Sequence, residues 1–571
     1  MLEKLRLKLA GAEALPLLVV LGIFSGVFAG AVIIVFRLTI ELMQSGFLPL
    51  GIAENYEALT LTWRFFIPVI GATAIIALFY VLFKGPIAVG IVHVLERLAY
   101  HQGHLPVKNF LAQFVGAVLS IVSGHSVGRE GPGVHLGSAC GSLVGQWLKL
   151  PNNTLRILVA CGAAASIAAS FNTPIAGVIF AMEVIVMEYT IAGFAPIMLS
   201  AVSATLLTQS VFGNSAVFTL PTLKLSTLSE LSALVVMGVL IGTLAAAFIW
   251  ILRVVTTKTR QLYFSYRLLT AGVVTGIAGL VVPQIMGIGY DTVNAAMTGE
   301  IAVNMLLLIV VFKLIVTAVG LGLGLPGGLI GPTLVIGASA GAVAGIVAET
   351  FMPGASHSSG FYAMLGMAGM MGATLQAPLA ALMALLELTV NTHVILPGML
   401  VVIVAGLTSS HLFRQPGVFL MLLKERGLDY RNNPIVQSLR RVGVASIMSR
   451  SFVRITHQIR RNQAQSLLQK EPEWMVIEVE NSPVALMPSV DLAQYLNMNQ
   501  QDEIDLLQIP GQRQDSVAIG IRDTLQVALD TMDQHSLDVL YIGQKGRAGD
   551  SKYEVNGVVT RHMIESHYRI H

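Results

Sequence analysis

The chain has 571 residues, 54% of them hydrophobic and only 12% charged, and its 35 Lys+Arg against 32 Asp+Glu leave a formal charge of +3. Soluble globular domains carry about twice that charged fraction, so the composition selects a membrane protein. The small net charge gives no sign of a nucleic-acid partner, and none is expected; two cysteines, Cys140 and Cys161, cannot by themselves build a disulfide framework or a metal site.

In chain order, residues 1–14 begin with leucines alternating with Lys4, Arg6 and Lys8, a basic segment suited to the cytoplasmic membrane face. The run from about Leu15 to Val35 is long enough to span and shows no clear cleavage site, so it reads as a first transmembrane helix rather than a signal peptide. Apolar segments recur near 62–83, 87–100, 110–123, 130–148, 155–170, 174–188 and 193–213. After these come 230–252, 268–285, 301–323, 329–350, 361–373, 377–390 and 394–412. Several are too short or too glycine-broken for a simple crossing, and the 55 glycines and 22 prolines suit tilted, interrupted and closely packed helices. The cluster Arg253, Lys258, Arg260 and Arg267 is expected on the cytoplasmic side.

Gly128-Arg129-Glu130-Gly131-Pro132 stands out within this apolar sequence. A carboxylate and a guanidinium at membrane depth are expensive and default to a functional reading. The glycines and proline break one helix and start another, leaving amide N–H groups free at a positive helix end, which is an anion site. Glu130 is placed to occupy that site itself. A simple buried ion pair with Arg129 is the competing reading, and the surrounding glycines and proline count against it.

A repeat supports the anion site. Gly128, Gly131, Pro132, Gly137, Gly141 and Gly145 recur 200 residues on as Gly328, Gly331, Pro332, Gly337, Gly341 and Gly345. Gly162, Ala164, Pro174, Ala176 and Glu183 recur 204 residues on as Gly366, Ala368, Pro378, Ala380 and Glu387. Pores and secondary transporters are built from such repeats, with broken helices meeting near the midplane. An inverted relation is expected, because opposed halves aim both sets of amides at one point.

At these residues the chain resembles the CLC family of chloride channels and chloride/proton antiporters. The resemblance covers about 15–425 and rests on Gly128–Pro132, Phe171-Asn172-Thr173-Pro174 running on to Glu183, and Gly328-Leu329-Ile330-Gly331-Pro332. Gln376-Ala377-Pro378-Leu379 leading to Glu387 and Ile395-Leu396-Pro397 complete it. It implies an all-α multi-pass membrane protein of two inverted repeats of broken, tilted helices (about 60–213 and 230–412), a homodimer with one pore per subunit, and chloride as the transported ligand. It makes Glu130 the gate. The amides around Arg129 to Gly131 become an outer anion site, and those of Leu329 and Ile330 a central one. Burial disfavours the charged form of Glu130, so opening is expected to follow acid pH and anion occupancy.

Departures from the family pattern bear on mechanism. The first filter segment reads Ala88-Val89-Gly90-Ile91-Val92, so Val89 replaces the family's anion-contacting serine. The inner tyrosine aligns with Val418, or with Phe419 after a one-residue shift, and neither carries a hydroxyl. The second, proton-passing glutamate of antiporters falls at Val184, as in the channel branch. The preferred expectation is therefore a voltage- and pH-gated chloride channel gated by Glu130. The alternative is a chloride/proton antiporter with a non-standard inner proton path, through a water wire or Glu183. The whole Gly-Arg-Glu-Gly-Pro sequence departs from the fluoride branch, so chloride is the expected anion, with weak selectivity against bromide and nitrate.

Glu183 and Glu387 read as structural caps or packing groups, and His93, His135 and the Met367, Met370, Met371 cluster as packed side chains. Neither His-Glu-x-x-His nor Gly-x-Ser-x-Gly occurs in the apolar region, so no enzyme is expected. From about Arg426 the chain turns polar. A linker is expected over 426–439, and 440–571 resembles a small α/β pair of CBS domains, with a strand at Trp474–Val479 leading to a helix after Asp491. A helix from Thr524, a strand at Asp538–Ile542 and a terminus at Asn556–Thr560 complete the resemblance. Many CBS pairs bind adenine nucleotide through an aspartate three residues after the threonine of that last motif. After Thr560 this position is Met563, which counts against a site in the second unit, while Asp491, at the equivalent place in the first, leaves one site open. A packing and dimerisation module is the preferred reading. Compact loops suggest a bacterial inner membrane with both termini cytoplasmic.

Overall fold

The structure, a computed structural model, describes residues 9, 15–189, 191–213, 230–351, 359–428, 434–545 and 553–570. The basic residues Lys4, Arg6 and Lys8, and positions 429–433 of the expected linker, lie outside the described residues. The chain divides into two units, 19–146 with 156–430, and 1–18 with 147–155 and 431–571.

The first unit is helical. Its first half contains α1 (Leu15–Phe47), α2 (Leu61–Phe83), α3 (Ile91–Tyr100), α4 (Val107–Val122), α5 (Glu130–Trp147), α6 (Asn152–Phe171), α7 (Pro174–Phe180) and α8 (Ile191–Phe212). The second half contains α9 (Glu230–Thr259), α10 (Phe264–Val281), α11 (Tyr290–Thr298), α12 (Val303–Gly322), α13 (Ile330–Phe351), α14 (Ser359–Leu375), α15 (Pro378–Thr389), α16 (Ile395–Leu407) and α17 (Val418–Glu425). Among the described residues, nine helices are long and apolar enough to cross a bilayer.

Three elements differ from the sequence expectation. Helix α1 runs on to Phe47, because Arg37 and Glu41 pair one turn apart at 2.6 Å and let the helix continue through its charged stretch. The segment expected from 87 is helical only from Ile91; before it the chain passes through Gly85 and Gly90, at φ +135° and +85°. Helix α11 was not foreseen, since Tyr290-Asp291-Thr292-Val293-Asn294 has no apolar run.

The repeat is present in the fold, with α4 to α8 recurring as α12 to α16. Its interior is closed by glycines. A Cβ on Gly137 would lie 2.2 Å from the Gly162 carbonyl oxygen, and one on Gly337 2.4 Å from that of Gly366. The same crossing of two helices, backbone against backbone, is thus built twice. The halves meet head-on at an antiparallel bridge between Gly128 and Gly328, whose amides donate to each other's carbonyls at 2.7 and 2.8 Å. An antiparallel meeting of equivalent residues makes the repeats inverted.

In the other unit a strand–helix–strand–strand–helix pattern occurs twice. The first is β1 (Phe452–Thr456), α19 (Arg461–Leu468), β3 (Trp474–Val479), β4 (Ser482–Pro488) and α20 (Ser489–Met498), after a short helix α18 (Pro434–Arg441) and with the small strand β2 (Gln458–Arg460). The second is β7 (Ala518–Ile519), α21 (Leu525–His535), β8 (Val539–Lys545), β9 (Tyr553–Thr560) and α22 (Arg561–Ile570), with β5 (Glu503–Asp505) and β6 (Gln514–Asp515) between the two. β1 and β7 pair parallel with β3 and β8, which pair antiparallel with β4 and β9. Alternation along β3 sends Met475 and Ile477 into one core and Val476 into another shared with Leu486, Tyr541 and Val558.

Candidate functional site

The loop before α5 is shaped by contacts that only glycine permits. A Cβ on Gly131 would lie 2.7 Å from Gly328 Cα, and one on Gly128 would lie 2.4 Å from Glu130 Oε2. Pro132 in the first turn of α5 costs no hydrogen bond, because that turn's N–H groups have no helical partners. The Glu130 side chain, fully buried, turns into this junction. Its Oε2 accepts from the Gly331 amide at 3.1 Å, at the start of α13 in the other repeat, and its Oε1 accepts from the Tyr290 hydroxyl. The carboxylate thus fills the position an anion would take at the N-terminus of α13.

Two cavities flank it. One, of about 380 Å³, is lined by Arg37, Glu41, Glu54, Arg129, Tyr290 and Asp291 among others. The second, of about 390 Å³, is lined by Val89, Gly90, Gly131, Leu329 and Phe419, and its charged residues are Arg260, Arg267 and Arg426 with Glu425, an excess of positive charge. Glu130, between Arg129 and Gly131 in sequence, is among the lining residues of neither cavity.

The expected anion-site residues are placed unevenly. Val89, Gly90, Gly131 and Leu329 line the second cavity, and Arg129 lines the first. The Gly90 amide is engaged by Gln113 Oε1 at 2.6 Å. Ile330 is buried, and it is the next amide, that of Gly331, that reaches the carboxylate. Val418 opens α17 fully buried and does not line the cavity, whereas Phe419 does. Arg129 lies 3.9 Å from both Glu41 and Glu130, with its guanidinium 5.3 Å from the centre of the Tyr290 ring. Tyr290 and Gly331 were missed by sequence reasoning. Gly287 and Gly289, both at positive φ just before Tyr290, were the available signal of a close approach.

In the connection between α1 and α2, Glu54 accepts from the Tyr290 backbone N–H at 3.2 Å. Burial, with Asp291 nearby, pushes its carboxyl up to about 7 against the lowering pull of Arg129.

Other candidates resolve into structure. Glu183 accepts from the amides of Leu379 and Ala380 at 3.3 and 2.8 Å, and Glu387 from those of Ile175 and Ala176 at 2.9 and 2.7 Å. Each repeat caps the other's broken helix. Val184 is buried beside Glu183. His93 and His135 are buried and bonded to each other at 2.9 Å, with Asn109 and Arg97 also reaching His93. In the C-terminal unit, α20 begins at Ser489, two residues before Asp491, whose carboxylate accepts from the Gln512 amide at 2.7 Å. Thr560 lines a cleft of about 390 Å³ with Trp474, Gln514 and Asp538; Asp491 does not line it.

A buried carboxylate held by a helix-start amide and a tyrosine hydroxyl, where two inverted repeats meet, is an arrangement suited to an anion-transport protein. The family model for voltage-gated chloride channels matches residues 71–410, and the chain belongs to that family. It is 32% identical over 351 residues to the "Putative chloride channel protein ClcB-like" of Ralstonia nicotianae, covering 60% of this chain and 81% of that one. It is 31% identical over 306 residues to the H(+)/Cl(-) exchange transporter ClcA of Vibrio cholerae, covering 51% of this chain and 64% of the transporter. A solved slow cyanobacterial Cl-/H+ antiporter shares the fold, with a TM-score of 0.63 at 24% identity over 73% of this chain and 99% of that one.

Proposed function

We propose that this chain exchanges chloride for protons across a membrane, through one Glu130-gated pathway in each subunit of a homodimer. The observation that carries this reading is the seat of Glu130. A carboxylate that fills the anion site has to be displaced or protonated before an anion passes, which ties anion movement to a proton. The names of the Vibrio and cyanobacterial relatives, an exchange transporter and an antiporter, favour coupling. Because Val184 has no titratable group, the inner limb of the proton route is non-standard.

Uncoupled chloride conduction, preferred on the sequence alone, is the second reading. Val184 and the channel name of the Ralstonia relative favour it. The cavity lined by Arg260, Arg267 and Arg426 is assigned to the cytoplasmic side of a bacterial cell membrane, and the Arg129–Glu54 cavity to the outside. The C-terminal unit is a cytoplasmic CBS-type packing module, supported by its twofold strand–helix pattern. The polar sequence after Arg426 acts as its linker.

The reversal potential in chloride-loaded liposomes under an imposed pH gradient separates the two. Under antiport it moves away from the chloride equilibrium value when the pH gradient changes. A potential fixed at chloride equilibrium at every gradient overturns coupling and leaves a channel.

A further inference from the structure

Glu130 is held by two donors of different origin. One is the Gly331 amide; the other is the Tyr290 hydroxyl, on a helix whose sequence carries no membrane signature. Val89, and Val418 or Phe419, which the resemblance aligns with the family's hydroxyl positions, have no hydroxyl to offer the anion path.

Three fixings hold the Tyr290 ring in place. Its own backbone N–H is held by Glu54 at 3.2 Å, its ring packs 6.1 Å from Phe171, and the Arg129 guanidinium sits 5.3 Å from its centre. The first two do not involve Glu130, and Arg129, which also pairs with Glu130, keeps Glu41 at 3.9 Å when the carboxylate leaves. When the carboxylate leaves, the phenol therefore keeps its position, and its O–H points at the same space as the Gly331 N–H. Whatever acceptor enters inherits both donors.

We infer that Tyr290 is a further anion-binding residue of this pathway, its hydroxyl donating in turn to the seated Glu130 carboxylate and to the permeating monovalent anion. The hydroxyl works as a latch while the gate is shut and as a ligand once it opens. The inference rests on reading Glu130 as the gate.

Tyr290→Phe removes the oxygen and keeps the ring. In liposomes of the full chain, chloride flux at neutral pH is expected to rise about tenfold, as a seat made by two donors to a charged group loses one of them. In a Glu130→Gln background, where no charged group competes, adding Tyr290→Phe is expected to weaken chloride binding about fivefold by calorimetry. Should the phenylalanine variant fold poorly, replacing Tyr290 by a monofluorinated tyrosine keeps the shape and sharpens the donor. Neutral-pH flux then falls, which a merely structural ring would not produce.

Unchanged flux and unchanged chloride affinity in folded variants overturn the inference. A rise in flux with affinity unchanged also overturns it, because the hydroxyl would then serve the gate alone. Glu130→Gln protects against confusing the two readings. If that variant keeps native pH dependence, the gate reading has failed; if it loses it while Tyr290→Phe is silent, only the role of Tyr290 has failed.

Discussion

If Glu130 gates the pathway as proposed, Glu54 sets conditions for that gate without touching it. Buried against Asp291 and holding the backbone of Tyr290, it titrates near 7, so the cavity it lines carries one more negative charge above that pH than below. Anion entry from that face is therefore expected to increase as pH on the Glu54 side falls through about 7, with the opposite face held constant. Glu54→Gln, neutral at all pH, should remove that step; flux measured against one-sided pH checks this. The linkage has a stability side too. Between its usual 4.5 and about 7 the folded protein keeps a proton that the unfolded chain has released, so stability falls as pH rises through that window. Glu130 was legible because charge within an apolar run is costly. Tyr290 was not, because a tyrosine beside an aspartate looks like ordinary surface in sequence until the fold buries it.

The broken helices keep their places through exchanged caps. Glu183 of the first repeat satisfies two amides at the start of α15, and Glu387 of the second satisfies two at the start of α7. These are the N–H groups that Pro174 and Pro378, each opening a helix, leave without carbonyl partners. Removing one carboxylate leaves two donors unmet, so Glu387→Ala is expected to lower stability by about 1–3 kcal/mol. Thermal unfolding of the detergent-solubilised protein measures this, and Glu387→Gln, which retains an acceptor, should recover part of the loss. The pairing of Glu183 with Glu387 was visible as a repeat of 204 residues, and capping was among its expected roles. Which helix each would cap was not visible, because the partner lies in the other repeat. At the same scale, apolar length and Gly–Pro punctuation marked most membrane helices. They overlooked α11, whose alternating polar and apolar residues bury one face without making a run.

Across the whole molecule the two halves are fastened at Gly128 and Gly328. This junction tolerates no side chain. A Cβ on Gly328 would stand 2.6 Å from the Gly131 amide nitrogen and 3.0 Å from the Gly128 carbonyl oxygen, both backbone atoms that cannot yield. Gly328→Ala is expected to cost about 1–3 kcal/mol through overpacking. Because the displaced backbone holds Glu130, flux should become less dependent on pH than in the native chain. Flux against pH alongside thermal unfolding shows whether both effects arrive together. The repeat in the sequence made the existence of such a junction readable, but that the equivalent residues hydrogen-bond to each other required the fold.

The bridge joins two nearly identical half-sites, yet the residues beside it are not alike: opposite Arg129 and Glu130 stand Leu329 and Ile330. Duplication supplied a balanced frame, and two substitutions gave it a front and a back. The ionisable groups beside Glu130, the proposed gate, then fall on the side of Arg129, Glu54 and Tyr290, while the opposite cavity carries Arg260, Arg267 and Arg426 with Glu425 among largely apolar walls. A molecule of this make answers acid differently from its two faces, so its orientation in the bilayer is part of what it does.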